Sequence, residues 1–344
     1  MRRIIELILI YAWAICAGAL FLRLGAPLPW MIGPLVGVAG LYVAGVTRYA
    51  IPVKTRPLAQ IIVAAQVGLA FSPAAFAVLL ERGPLLVGMA LATAACAGLA
   101  AWVLARLSGM GAVSALLSTI PTSPVEAATI AERLGLRPGG IIFAQTLRIA
   151  AIVVVVPVAI YAMEGWPERG GAPAGVLVPL NSAFLFAVAV ATAFLFRAIG
   201  ISNPFFLGAL AGSAALTAAG VEPAPFGPVI LGGAQVLLGT WLGSTFRRDL
   251  FRSAGGMIAP IIGSTLLFLI LTAALAVLLS RLTPLGWQDL VLGAAPGGVT
   301  EMALTAKYLG LDVALITAFH LVRIFLIVPF IPAIAKALDR RIGH

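Results

Sequence analysis

The sequence predicts an all-α polytopic membrane protein of two inverted repeats, each with five transmembrane helices and one re-entrant hairpin, about ten spans in total. Three observations predict it. The chain is too apolar for water: of 344 residues, 62% are hydrophobic and 10% charged, against about a quarter charged in a soluble domain. Its mean hydropathy is +1.11. The apolar runs have the length of a membrane-crossing helix, about 20 residues, not the alternating pattern of barrel strands. And a shift of 175 residues lays the second half over the first without a gap, with more than twenty identical positions.

The duplication divides the chain into a first repeat, 1–170, a linker, 171–176, and a second repeat, 177–344. Each repeat holds six apolar elements. In the first they cover 4–24, 28–46, 57–80, 84–106, 110–135 and 138–163. In the second they cover 178–199, 204–220, 226–246, 256–281, 286–309 and 312–337. The first run follows Arg2-Arg3 and has the look of a signal peptide. Its matched run is internal, however, and the two agree at Leu20, Phe21 and Gly25 against Leu195, Phe196 and Gly200, so it is read as a membrane helix. The second elements open on Pro29-Trp30-Met31-Ile32-Gly33 and Pro204-Phe205-Phe206-Leu207-Gly208. With Gly37 and Gly212 these form the small-residue spacing that lets helix backbones approach. The third elements carry Gln60 and Gln235, with Gln66 nearby. The fifth are broken by Pro121-Thr122-Ser123-Pro124 and by Pro296-Gly297-Gly298, because proline removes a helix donor and glycine costs stability mid-helix. The sixth carry Arg148 and Arg323. Cys16 and Cys96 fall in apolar runs and read as small buried hydrophobes.

Net charge is +10. The basic residues are scattered over short loops, which is the pattern of topology charges, not of a nucleic-acid surface. With the N-terminus inside and all twelve elements spanning, Lys and Arg divide 11 to 9; if the second elements fail to cross they divide 10 to 10. If the broken fifth elements turn back as hairpins, the division is 15 inside to 5 outside. Arg133 then lies inside with Arg48, Lys54, Arg106 and Arg197, and Lys307 outside with Arg23, Arg82, Arg169 and Arg281. Five spans per repeat make the halves upside down to each other. Non-helical backbone at mid-membrane in inverted repeats points to a secondary transporter.

Candidate site residues follow from the breaks. Helix N-termini at both tips offer unpaired N–H groups that suit an anion. Thr119, Thr122, Ser123 and Thr300 add hydroxyls, Pro296, Gly297 and Gly298 give a ligand close access to the backbone, and Gln60 and Gln235 line a cavity or bond across helices. Glu126 and Glu301 are matched intramembrane carboxylates, read as ion-coupling groups, as partners of Arg148 and Arg323, or, in Ser123-Pro124-Val125-Glu126, as half of a capping box. His320, matched to Gln145 one turn before the arginine, is a proton shuttle or an interhelical hydrogen-bond partner.

These motifs resemble the AbrB-type duplicated membrane protein family of bacteria over essentially the whole chain. The duplicated proline–aromatic–glycine element and Pro296-Gly297-Gly298-Val299-Thr300-Glu301-Met302 carry the likeness, and Pro121-Thr122-Ser123-Pro124 departs from the second motif. Labels in that family include a regulator of gene expression and an ammonia monooxygenase. The resemblance brings no catalytic residues with it. A copper oxygenase needs clustered ligands, and His320 and His344 are the two histidines present. Nor is a DNA-reading module recognisable. The expectation is therefore a non-enzymatic, cofactor-free carrier of a small anionic metabolite, multi-pass in the bacterial inner membrane with both termini cytoplasmic. Its partners would be the lipid bilayer, the substrate, H+ or Na+, and a second copy in a homodimer, with no metal and no nucleic acid. The alternative is a membrane sensor that affects gene expression indirectly, without transport.

Overall fold

The computed structural model describes residues 2–47, 49, 51–52, 55–164, 179–201 and 203–342. The expected linker 171–176 lies outside the described residues, as do Arg48, Lys54, Arg169 and His344. Every element described is helical. Seven helices among the described residues are long and apolar enough to cross a membrane, or eight if one bent pair is a single span. Their exposed apolar side chains, such as Ile8, Trp13 and Ile15 on the first helix, suit contact with acyl chains, so the chain is a multi-pass membrane protein. On that same surface Cys16 is exposed, contrary to expectation, and Cys96 is only partly buried.

The chain divides into two compact units, and each draws segments from both sequence repeats. One unit comprises Met1–Glu81, Pro157–Thr245 and Ala303–Leu315. Its helices are α1 (Arg2–Arg23), α2 (Pro29–Ala44), α3 (Arg56–Gly68), α4 (Pro73–Glu81), α9 (Pro179–Ala198), α10 (Pro204–Ala218) and α11 (Pro228–Ser244). Proline in the first turn starts α2, α3, α10 and α11, where its missing N–H costs nothing. Packing inside the unit repeats itself. α1 lies on α2 and α9 on α10, while α2 meets α11 and α10 meets α3, so the second helix of each repeat packs against the third helix of the other.

Glycine sets these contacts. A Cβ on Gly33 would sit 2.6 Å from the Ala17 carbonyl oxygen, and one on Gly208 would sit 2.5 Å from that of Thr192. Both are closer than a Cβ can approach, so the paired small-residue motifs are packing surfaces. On the crossing between repeats, a Cβ on Gly243 would lie 2.6 Å from the Leu35 carbonyl oxygen. Leu28 and Asn203, matched in the repeat, both hold left-handed backbone with φ of 46° and 50° just before α2 and α10. Such backbone is rare outside glycine and costs a leucine about 1–2 kcal/mol.

The third element departs from the expected single run 57–80. α3 and α4 meet at an 85° bend. The Ser72 hydroxyl accepts the Ala75 N–H at 3.2 Å, and Pro73 opens α4, so Ser72-Pro73 starts a new helix instead of continuing the old one.

The second unit comprises Arg82–Val156, Phe246–Met302 and Ile316–His344. It contains α5 (Gly83–Ser108), α6 (Ala112–Thr119), α7 (Pro124–Arg133), most of α8 (Gly139–Glu164), α12 (Arg248–Ala254), α13 (Ile258–Leu282), α14 (Trp287–Ala294), the start of α15 (Val299–Leu309), most of α16 (Val313–Ile327), and α17 (Ile331–Ile342). α5 packs on α13 through Ala97, Ala100 and Phe268. α6 packs on α5, and α14 on α13, in the matched arrangement. A core of Val113, Leu117, Ile120, Ala127, Ala131 and Ile141 closes around Ile327, Ile331 and Ala335. The fifth elements break where expected. Their halves run 8 to 11 residues, or about 12–17 Å at 1.5 Å per residue, short of a hydrocarbon core of about 30 Å.

Candidate functional site at the paired helix breaks

Both breaks belong to the second unit, so the site can be built from its residues alone. In the first, α6 ends at Thr119, Ile120 is extended (ψ 136°), and Ser123 caps α7 (ψ 148°). The Ser123 hydroxyl accepts the Glu126 N–H at 3.2 Å, and the Glu126 carboxylate accepts the Ser123 N–H at 3.3 Å. This is the capping box the sequence offered. One oxygen of that carboxylate, Oε2, also receives the Thr122 hydroxyl at 2.7 Å and the Ser123 hydroxyl at 3.1 Å. The Thr119 hydroxyl turns back to the Ala115 carbonyl at 3.1 Å. The hydroxyls expected to hold a ligand at this tip therefore make local bonds.

A helix ending in low dielectric leaves carbonyls without partners. Here buried arginines take them. Arg148 Nη1 donates to Thr119 O at 2.6 Å, with longer bonds to Ile120 O and Ser118 O at 3.3 and 3.4 Å. Arg148 Nη2 donates to Gln145 Oε1 at 2.6 Å, and Gln145 Nε2 donates to Leu117 O at 2.6 Å and to Ile120 O at 3.0 Å. The second repeat reproduces this clamp. Arg323 Nη1 donates to Ala295 O at 2.8 Å, and Nη2 to Gly297 O at 3.1 Å and to His320 Nδ1 at 2.7 Å. His320 Nε2 meets Leu292 O at 2.9 Å. A carbonyl only accepts and a guanidinium only donates, so His320 carries its hydrogen on Nε2 and a lone pair on Nδ1, which is the neutral ring. Its two nitrogens do the work of the Gln145 amide. That is the hydrogen-bond-partner reading, and it leaves no free nitrogen for a proton shuttle.

The clamps differ in detail, most of all at Nε. Arg148 Nε reaches across the repeats to Pro296 O at 3.1 Å. Arg323 Nε, though buried, has no hydrogen-bond partner. Three consecutive carbonyls, of Ala295, Pro296 and Gly297, are thus held by two guanidiniums that are 2% and 3% exposed. The sequence suggested Glu126 and Glu301 as partners of these arginines. The arginines' hydrogen bonds go to backbone carbonyls, Gln145 and His320.

The glycines of the second tip lie close against other groups of the chain. The place of a Cβ on Gly298 is filled by the Glu301 carboxylate, and a Cβ on Gly297 would lie 3.1 Å from Ile152 Cγ2 and Met302 Cγ. Their lack of a side chain makes room for the protein's own groups.

A family model described as "Transition state regulatory protein AbrB" matches the chain twice, over residues 2–164 and 129–339. The chain belongs to the AbrB family. The "Uncharacterized protein YhjN" of Bacillus subtilis (strain 168) is similar, 24% identical over 358 positions that cover 95% of this chain and 92% of that one. The double match agrees with the duplication.

Not every residue singled out joins this AbrB-family site. Gln60 and Gln235 lie on α3 and α11, in the other compact unit. There Gln60 Nε2 donates to Asn203 Oδ1 at 3.1 Å, which bonds a third helix to the turn before a second one. Gln66 Oε1 accepts the Phe226 N–H at 2.8 Å. Asn203 was not legible as a partner, since nothing in the repeat pattern marks position 28, its leucine counterpart, as polar. Thr300 is buried behind the second tip. Among the described residues no three of His, Cys, Asp and Glu come together as a metal would require.

Proposed function

We propose that this AbrB-family chain is a secondary transporter of a small anionic metabolite, working by alternating access around the two helix breaks. The observation that carries the reading is the pair of buried guanidiniums on three consecutive carbonyls at the second break. Two cations so close in low dielectric repel each other, and an anion arriving beside them relieves that cost. Glu126 and Glu301 supply the coupling. While both are ionised they balance the arginines. Protonation, or a bound Na+, removes that balance and leaves positive charge for the substrate to neutralise. The chain's own roles are then distinct: the arginines hold the breaks open and set the field, and the carboxylates gate it. No covalent chemistry and no cofactor is needed.

The seven long helices, the bent α3–α4 pair and the two shorter apolar helices α2 and α10 supply the ten spans of the inverted-repeat scheme, with α6–α7 and α14–α15 as hairpins dipping from opposite sides. Each repeat then contributes five spans and one hairpin, and both termini lie on the cytoplasmic side of a bacterial inner membrane. Because both breaks sit in one compact unit, displacement of that unit would carry the site with it.

The test is uptake by proteoliposomes offered a panel of mono- and dicarboxylates under an imposed proton or sodium gradient. Saturable, gradient-driven uptake that Glu301→Gln removes from a folded protein is the expected result. No flux of any anion under either gradient would overturn the reading. The family description favours a second reading, a sensor acting indirectly on gene expression. A stoichiometric soluble partner together with absent flux would select it.

A further inference from the structure

The two clamps have matched residues but two arrangements, and the two tips differ in exposure in the same sense. Arg148 Nε holds Pro296 O of the second tip, while Arg323 Nε is unpartnered, although Pro121 is the matched counterpart of Pro296. At the first tip Val125 is 63% exposed; at the second its counterpart Thr300 is 5% exposed. The tip held by both arginines is the sealed one.

We propose that Arg148 and Arg323 are paired positioning residues that exchange roles: in the alternate state Arg323 Nε takes the Pro121 carbonyl, Arg148 Nε lets go of Pro296, and the second tip becomes the accessible one. The inference rests on the carrier reading for its purpose, though not for its geometry. Either arginine can adopt either arrangement because the acceptors are backbone carbonyls at matched positions. Each state then has one bonded and one unbonded Nε, so the exchange conserves the bond made by the Nε pair. Two states of similar energy are what a ligand can shift between. Packed interfaces switch between such discrete arrangements and do not deform continuously.

The experiment uses the full chain in lipid nanodiscs, which leave both faces open, with Cys16 and Cys96 replaced by alanine. The rate of labelling by a membrane-impermeant maleimide is read in Val125→Cys and Thr300→Cys chains. With native arginines, position 125 labels faster than 300. Arg148→Lys removes the bond that seals the second tip, so labelling at 300 speeds up and at 125 slows. Arg323→Lys does the reverse. Each shift is about five-fold, the net worth of one hydrogen bond. A purely structural role would move both positions the same way in both variants, and that result overturns the proposal, as does no shift beyond two-fold in folded protein. Should either lysine variant fail to fold, a chain carrying Val125→Cys and Thr300→Cys with native arginines decides. Complete labelling of both sites over time supports exchange, and labelling confined to one site refutes it. Uptake is measured separately on the native chain. Exchange without flux sinks the carrier reading alone; flux without exchange sinks this inference alone.

Discussion

At the scale of single residues, the site is a study in how an apolar interior tolerates charge. Each arginine is buried, yet each spends its N–H groups on carbonyls that a broken helix would otherwise strand. Removing one partner is therefore costly twice, once for the arginine and once for the carbonyl. Gln145 and His320 complete the clamps, and neither needs to titrate. His320→Gln should keep the fold and leave the pH profile of uptake unmoved, since glutamine already fills the matched position. His320→Leu strands both Leu292 O and an Arg323 N–H, a loss of about 1–3 kcal/mol for each buried unpaired group. Melting in detergent, paired with uptake across pH, checks both. A shifted pH midpoint in the glutamine variant would restore the shuttle role. Gly298→Ala offers a second test, because its methyl group meets the Glu301 carboxylate. The carboxylate is the far end of a flexible side chain and can turn aside, so the cost should sit at the low end of overpacking, about 1 kcal/mol, seen as a slightly lower melting temperature than in Gly40→Ala, where the structure has open space.

At the scale of elements, helix ends and helix faces follow different rules. Proline and serine start helices in this chain, and the starts at Pro29, Pro124 and Pro204 fall where the sequence places them. Replacing Ser123 by alanine removes one side of the capping box, at a cost of about 1 kcal/mol, and should speed hydrogen exchange across Pro124–Arg133 without altering α15. Faces are set by small residues. In α2, Gly33→Ala drives a methyl group into the Ala17 carbonyl, whereas Gly40→Ala meets nothing within 4 Å and gains up to about 1 kcal/mol of helix propensity. The two alanine variants should shift the melting temperature in opposite directions. Equal shifts would mean that α1 and α2 do not pack closely.

For the whole molecule, the duplication shows in how each compact unit is assembled. In the first unit the second helix of either repeat rests on the third helix of the other, so neither half of the chain completes that packing by itself. The inverted arrangement makes a sharp topological prediction. Arg133 and Lys307 lie in the last turns of α7 and α15, at nearly matched places in the repeats. Single cysteines beside them should label from opposite faces of the membrane, Arg133 from the cytoplasmic side. Labelling from the same face would make the repeats parallel and remove the basis for alternating access.

The sequence by itself determined the class of solvent, the duplication and the breaks in the fifth elements. Hydrophobic length, a constant offset and proline are local signals, and no distant contact can erase them. It also offered, among three readings of Glu126, the capping box with Ser123, whose two members are three residues apart. The partners of Arg148 and Arg323 were decided only by the tertiary structure. A backbone carbonyl carries no residue signature, so an acceptor such as Pro296, 148 positions along the chain, cannot be read from composition or spacing. The same holds for the Gln60–Asn203 bond, between residues 143 positions apart. In each case the deciding quantity was which groups three-dimensional packing brought within hydrogen-bond reach, where an unpaired donor or acceptor would have cost more than the packing gained.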